Sequence, residues 1–95
     1  MQRIRAARLT LAGIPVTVVQ VPSYLVHNGP EAKRAIAEYT TKFEGDSIVL
    51  AAMAGARPIH FGDRNLIAAL ARVSPFRIHW QDFTFASADQ QEHSG

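Results

Sequence analysis

Asn28-Gly-Pro-Glu-Ala-Lys-Arg-Ala-Ile-Ala-Glu-Tyr-Thr-Thr-Lys-Phe-Glu-Gly45, followed after Asp46 by Ser47-Ile-Val-Leu-Ala-Ala-Met53, decides the fold of this chain. The first part carries the marks of a helix. Asn28 is a capping-type residue, Pro30 falls in the first turn, and Glu31 lies near the positive end of the dipole. Ala32, Ile36, Tyr39 and Phe43 recur at helical spacing, while Lys33, Arg34, Glu38 and Lys42 take the other side. Gly45 is placed to end the helix as a C′ residue. The second part is short and continuously apolar, which suits a central strand covered on both faces.

Upstream, residues 8–12 (Arg-Leu-Thr-Leu-Ala) and 15–21 (Pro-Val-Thr-Val-Val-Gln-Val) flank Gly13 and predict a hairpin. Pro15 opens the second strand, where a missing N–H is tolerated. That strand is apolar on both faces (Val16 and Val18; Val19 and Val21), which places it inside the sheet or in a subunit contact. The opening Met1-Gln-Arg-Ile-Arg-Ala-Ala-Arg8 with the apolar stretch behind it copies a signal peptide in outline. Thr10, Pro15, Thr17 and Gln20 interrupt that stretch, and Val21-Pro22-Ser23 offers no small-x-small cleavage site. The segment is therefore expected to be structure rather than leader.

Downstream, Ala54-Gly55-Ala56 reads as a turn and Arg57-Pro-Ile-His-Phe61 as a strand that Pro58 pushes toward an edge. Gly62-Asp63 starts a second helix with Leu66, Ile67, Leu70 and Val73 as its apolar stripe, and Ser74-Pro75 stops it. Phe76, Ile78 and Trp80 alternate with Arg77 and His79 in a final strand that Phe83 and Phe85 extend. The order ββαββαβ predicts a small α+β two-layer sandwich, two helices packed on one face of a mixed or antiparallel four- to five-stranded sheet. Residues 1–85 are expected to form a single domain. Residues 86–95, without a large apolar side chain, are expected to be a disordered tail.

Composition bounds the function. The chain has 95 residues, 47% of them hydrophobic, and no cysteine, which excludes a disulfide scaffold, a thiolate zinc site and a cysteine nucleophile. No apolar run approaches the ~18 residues of a membrane span, so a cytoplasmic protein without a membrane partner is expected. Val16, Val18 and the aromatic C-terminal stretch supply more apolar surface than two short helices cover. A homodimer is expected from that surplus, with a protein partner as the other way to cover it. The net charge is +2, but Asp89 and Glu92 fall in the tail, so ten cations meet six acids within residues 1–85 and leave +4 there.

Chemistry-bearing residues are few. His60 and Asp63 are three apart, as are His79 and Asp82, and neighbouring strands at 57–61 and 76–80 would bring all four together as a metal or acid–base set. Against that, His60 and His79 occupy the polar positions of alternating strands, and Asp63 is well placed as an N-cap. Neither a nucleophile elbow, a P-loop nor a dinucleotide fingerprint is present, so no cofactor is expected and no catalytic residue is assigned. Arg3, Arg5 and Arg8 form a basic N-terminal arm of the kind that tracks a nucleic-acid backbone, with Trp80, Phe83 and Phe85 as stacking surfaces.

Gly62-Asp-Arg-Asn-Leu-Ile-Ala-Ala69, leaving a strand and opening a helix, resembles the glycine-acid-arginine box of the ParB partition-protein N-terminal domain and of sulfiredoxin. Gly62, Asp63, Arg64, Ala68 and Ala69 match; Asn65 stands where partition proteins usually have a second arginine, and the sulfiredoxin cysteine is missing. The resemblance covers about a dozen residues. It implies an anion site in which the helix N–H groups and Arg64 receive a nucleotide phosphate.

These observations support a first expectation and two alternatives. The first is a non-catalytic interaction or regulatory module acting through a homodimer or a protein partner. One alternative is a phosphate-ligand or nucleic-acid binder using Arg64, Gly62 and Asp63 with Arg3, Arg5 and Arg8. The other is a small metal-dependent enzyme using His60 and His79.

Overall fold

The computed structural model describes residues 2–54, 57–74 and 77–85. Its elements are β1 (Gln2–Leu11), β2 (Ile14–Gln20), α1 (Ser23–Val26), α2 (Gly29–Lys42), β3 (Ser47–Ala54), β4 (Arg57–Phe61), α3 (Arg64–Leu70) and β5 (Gln81–Phe85). The five strands form one sheet in the order β4-β3-β2-β1-β5. β2 and β3 run parallel, and every other neighbouring pair is antiparallel. The chain is thus an α+β protein with a mixed five-stranded sheet, in the element order read from the sequence, with the single turn of α1 added. Among the described residues no helix is long and apolar enough to cross a membrane.

Local chemistry explains most boundaries. Asn28 Oδ1 accepts from the Glu31 N–H at 3.4 Å and caps α2, whose first turn holds Pro30. Pro15 pairs with Thr10 of β1, and the β3 ladder begins only at Val16, so the proline precedes that ladder. Pro58 lies in β4, which is an edge strand, as its missing N–H requires.

The alternation of side chains along the strands divides the core. On one face Ile4, Ala6, Val19, Val21, Ile48, Leu50 and Ala52 are buried with Val26, Ala32 and Phe43, so α1 and α2 cover it. On the other face Leu11, Val16, Val18, Val49 and Ala51 are buried with Leu66 and Leu70 of α3, and Ile78 and Trp80 pack against the same group. The apolar surplus therefore has an intramolecular cover. α3 and the segment after it lie over the face opposite α2.

The helices expected together on one face of a two-layer sandwich take opposite faces, because β2 and β3 are apolar on both. Two further expectations are corrected. The final strand is Gln81–Phe85, and the described part of the segment before it, 77–80, is not a strand; Phe76 lies outside the described residues. The strand order gives the reason. β4 and β5 are opposite edges, so the chain between them must cross four strand spacings, about 19 Å at ~4.8 Å each. Residues 77–80 are spent on that crossing, where Ile78 and Trp80 bury against the sheet instead of pairing within it. Second, the arginines expected as an N-terminal arm belong to a strand interior to the sheet: β1 pairs with β2 through Ala6–Leu11 and with β5 through Gln2–Ala6. Gly55, Ala56 and Pro75 of the expected turns and the expected tail at 86–95 lie outside the described residues.

Candidate functional site

The crossing segment leaves a cleft of about 580 Å³ between itself and the sheet. Its floor is built from β1, β2, β3 and β4 by Arg5, Gln20, Ala51, Met53, Pro58 and His60. Its walls are Leu70, Ala71, Val73, Ile78 and Trp80, from the end of α3 and the crossing. The floor's polar groups share one row. Ala51 pairs with Gln20 on one side and with His60 on the other. Continuing the β1–β2 register one step beyond Ala6 and Val19 brings Arg5 beside Gln20, and Arg5 pairs with Asp82 of β5. Side chains directly opposite across a sheet point to the same face, so the row Asp82–Arg5–Gln20–Ala51–His60 faces the crossing segment.

The electrostatics of the row are uneven. Arg5 Nη1 lies 3.5 Å from Asp82 Oδ1, and both side chains are half exposed. His60 is half-buried, and burial pushes its imidazole below the ordinary value of 6.5, which keeps it neutral at neutral pH. No carboxylate is among the described residues lining the cleft, and Arg5 is its one permanent cation there. Apolar walls with a few convergent polar groups are the usual make-up of a small-molecule site.

The other residues singled out in the sequence are dispersed. His79 is exposed and does not line the cleft. The adjacency that would have joined His60 and Asp63 to His79 and Asp82 does not occur, because β4 and β5 are opposite edges. Among the described residues no three His, Cys, Asp or Glu side chains are grouped so as to hold a metal ion. Arg3 and Arg5 share the cleft face, whereas Arg8 takes the other and binds Asp46: Nε at 3.1 Å and Nη2 at 3.0 Å from Oδ2. Thr17, fully buried, donates to the same oxygen at 2.9 Å. That network ties the entry of β3 to the hairpin, and it joins residues 29 and 38 positions apart without any local signal.

Gly62, Asp63 and Arg64 of the matched segment each have a structural placement of their own. Gly62 follows β4 with φ +150°, and a Cβ there would stand 3.2 Å from the Ile48 carbonyl oxygen. Asp63 caps α3, its Oδ1 accepting from Asn65 N–H at 2.8 Å and Leu66 N–H at 3.2 Å. Those two amides therefore have a partner in the chain's own carboxylate. Arg64 is exposed, and the hollow beside Gly62 and Asp63 is lined by Lys33, Asp46 and Asp63 rather than by Arg64.

Sequence reasoning missed Gln20 and the joining of Arg5 to His60. A period-two signal was present for β1, since Arg3 and Arg5 are exposed where Ile4 and Ala6 are buried. Comparison with known proteins finds no family model, no curated protein and no solved structure that matches this chain.

Proposed function

We propose that the protein is a non-catalytic interaction module that binds a small organic acid in the cleft beneath the crossing segment. The apolar body of the ligand packs on Leu70, Val73, Ile78 and Trp80, and its carboxylate turns toward Arg5 and Gln20. One observation carries the reading: among the described residues the lining joins apolar walls to a guanidinium and holds no acid. The Arg5–Asp82 pair does not prevent this. A half-exposed ion pair contributes only about 0–1 kcal/mol, and a guanidinium has donors to share with a second carboxylate.

The chain supplies its own reporter, because Trp80 is the one tryptophan and stands in the cleft wall. Titration with octanoate and 3-phenylpropanoate is expected to change Trp80 emission saturably, and their methyl esters are expected to bind more weakly. Arg5→Gln should weaken the acids by about tenfold, a difference of ~1.4 kcal/mol, and leave the esters unchanged. No saturable response up to millimolar acid rejects the reading. So does a response that is equal for acid and ester and unmoved by Arg5→Gln.

A further inference from the structure

The two edges of the sheet are unlike. β4 carries Pro58, which removes a backbone donor from that edge. β5, Gln81-Asp-Phe-Thr-Phe85, has neither proline nor lysine, and among the described residues no strand pairs with its outer side. Alternate peptide groups of an edge strand point away from its neighbour, and an edge without such protection is a template for another strand.

We propose that β5 is a self-association edge: two copies pair antiparallel through residues 81–85 about a two-fold axis at Phe83, extending both sheets into one. The sequence of the strand selects that arrangement. Pairing about Phe83 uses all five residues and sets Asp82 opposite Thr84 of the other copy. Centring the axis on Asp82 sets two carboxylates directly opposite, and so does in-register parallel pairing; both are penalised.

The flanking strand adds charge complementarity. Arg3 is paired in register with Thr84 and is exposed, and the described residues give it no ion pair. In the paired sheet the cleft-side row runs Arg5, Asp82, then Thr84 and Arg3 of the second copy. Each Arg3 then stands two strand spacings, about 10 Å, from the other copy's Asp82, a span that two extended side chains reduce to contact. On the α2 side Phe83, half-buried with its ring edge-on to Phe43 at 5.2 Å, meets Phe83 of the second copy, and Ile4 lies behind each ring. The interface is isologous and closes with two chains.

Sedimentation velocity on the full chain from micromolar to near-millimolar concentration tests this. A concentration-dependent monomer–dimer equilibrium is expected, together with slower amide exchange at alternate residues of 81–85 as the dimer fills. Arg3→Glu should weaken the dimer by about tenfold, because the two-fold axis applies each reversal twice. The double variant Arg3→Glu with Asp82→Arg should recover most of that loss. Arg3 is exposed and has no ion pair among the described residues, so Arg3→Glu is expected to leave the fold intact, and unchanged circular dichroism checks this. A chain that stays monomeric throughout overturns the proposal. So does a dimer indifferent to Arg3→Glu whose β5 amides exchange equally fast at all concentrations. The Trp80 titration reads the cleft independently of either outcome.

Discussion

Among the described residues two hold positive φ without being glycine, Ala12 at 51° and Glu44 at 60°. Glu44 follows α2, where Gly45 N–H donates to the Thr40 carbonyl at 2.8 Å and Glu44 N–H to Thr41 at 3.4 Å. These two hydrogen bonds make a Schellman ending, with Glu44 in the C′ position and Gly45, also at positive φ (88°), after it. An L-residue there costs about 1 kcal/mol. Glu44→Gly is therefore expected to stabilise the protein by roughly 0.5–1 kcal/mol, read as a rise of several degrees in Tm for a domain of this size. Ala12 and Gly13 form the two-residue turn of the β1–β2 hairpin, both with positive φ, and Ala12→Asn should raise Tm in the same way, since Asn-Gly is favoured there. Gly45 was legible as the stop of the helix. That Glu44 enters the left-handed region ahead of Gly45 was not, because the closing hydrogen bonds set it. The Arg8–Asp46–Thr17 group lay beyond sequence reading for a different reason: its members meet only once β1, β2 and the β3 entry are assembled.

At the scale of elements, the decisive joint is the exit from β4. Leu50 pairs with Phe61, so Gly62 follows directly beside Val49, and the chain turns there from the sheet edge onto the face that α3 covers. A side chain at this position meets both a disfavoured φ and the Ile48 carbonyl at 3.2 Å. Gly62→Ala is expected to cost about 1–3 kcal/mol, seen as a lower urea midpoint with an unchanged m-value. The glycine and the acid of the Gly62-Asp63-Arg64 segment are thereby explained by local geometry: close backbone approach and an N-cap. Helix starts read well because caps are local, but α3 ends at Leu70, short of the stop expected at Ser74-Pro75, and Val73 packs on the sheet from beyond the helix. The final strand read less well. Ile78 and Trp80 alternate as a strand would, but their apolar faces are satisfied by lying across the sheet.

At the scale of the whole molecule, the β4–β5 crossing creates the cleft and sets the environment of His60. Burial lowers the imidazole pKa from its ordinary 6.5 in the folded state, so the unfolded chain takes up the proton more readily. The stability this leaves is whole above about pH 6.5 and is lost as pH falls from there through the lowered folded value. Urea unfolding of the native protein and of His60→Gln at pH 7.5, 6.5 and 5.5 isolates this contribution. The difference in stability between them should shift against the native protein as pH falls, because the remaining titrating groups are common to both. A difference that stays constant with pH would show that His60 is equally hydrated in both states. The organic acid proposed for the cleft and the second copy proposed on β5 would meet neighbouring members of one row of side chains. Asp82 belongs to both, bound to Arg5 within the chain and facing Arg3 of the other copy in the proposed dimer.

By itself the sequence determined the local structure of this protein: the capped helix at 29–42, the β3 run, the placement of Pro58 on an edge and the cap at Asp63. These depend on hydrogen bonds and side-chain spacing within a few residues. Only the tertiary structure decided that β1 lies between β2 and β5, that α3 takes the face opposite α2, and that Arg5, Gln20 and His60 share one floor. Those relations rest on pairing between distant strands. Once β4 and β5 are opposite edges, the chain must cross the second face, and the cleft forms beneath that crossing.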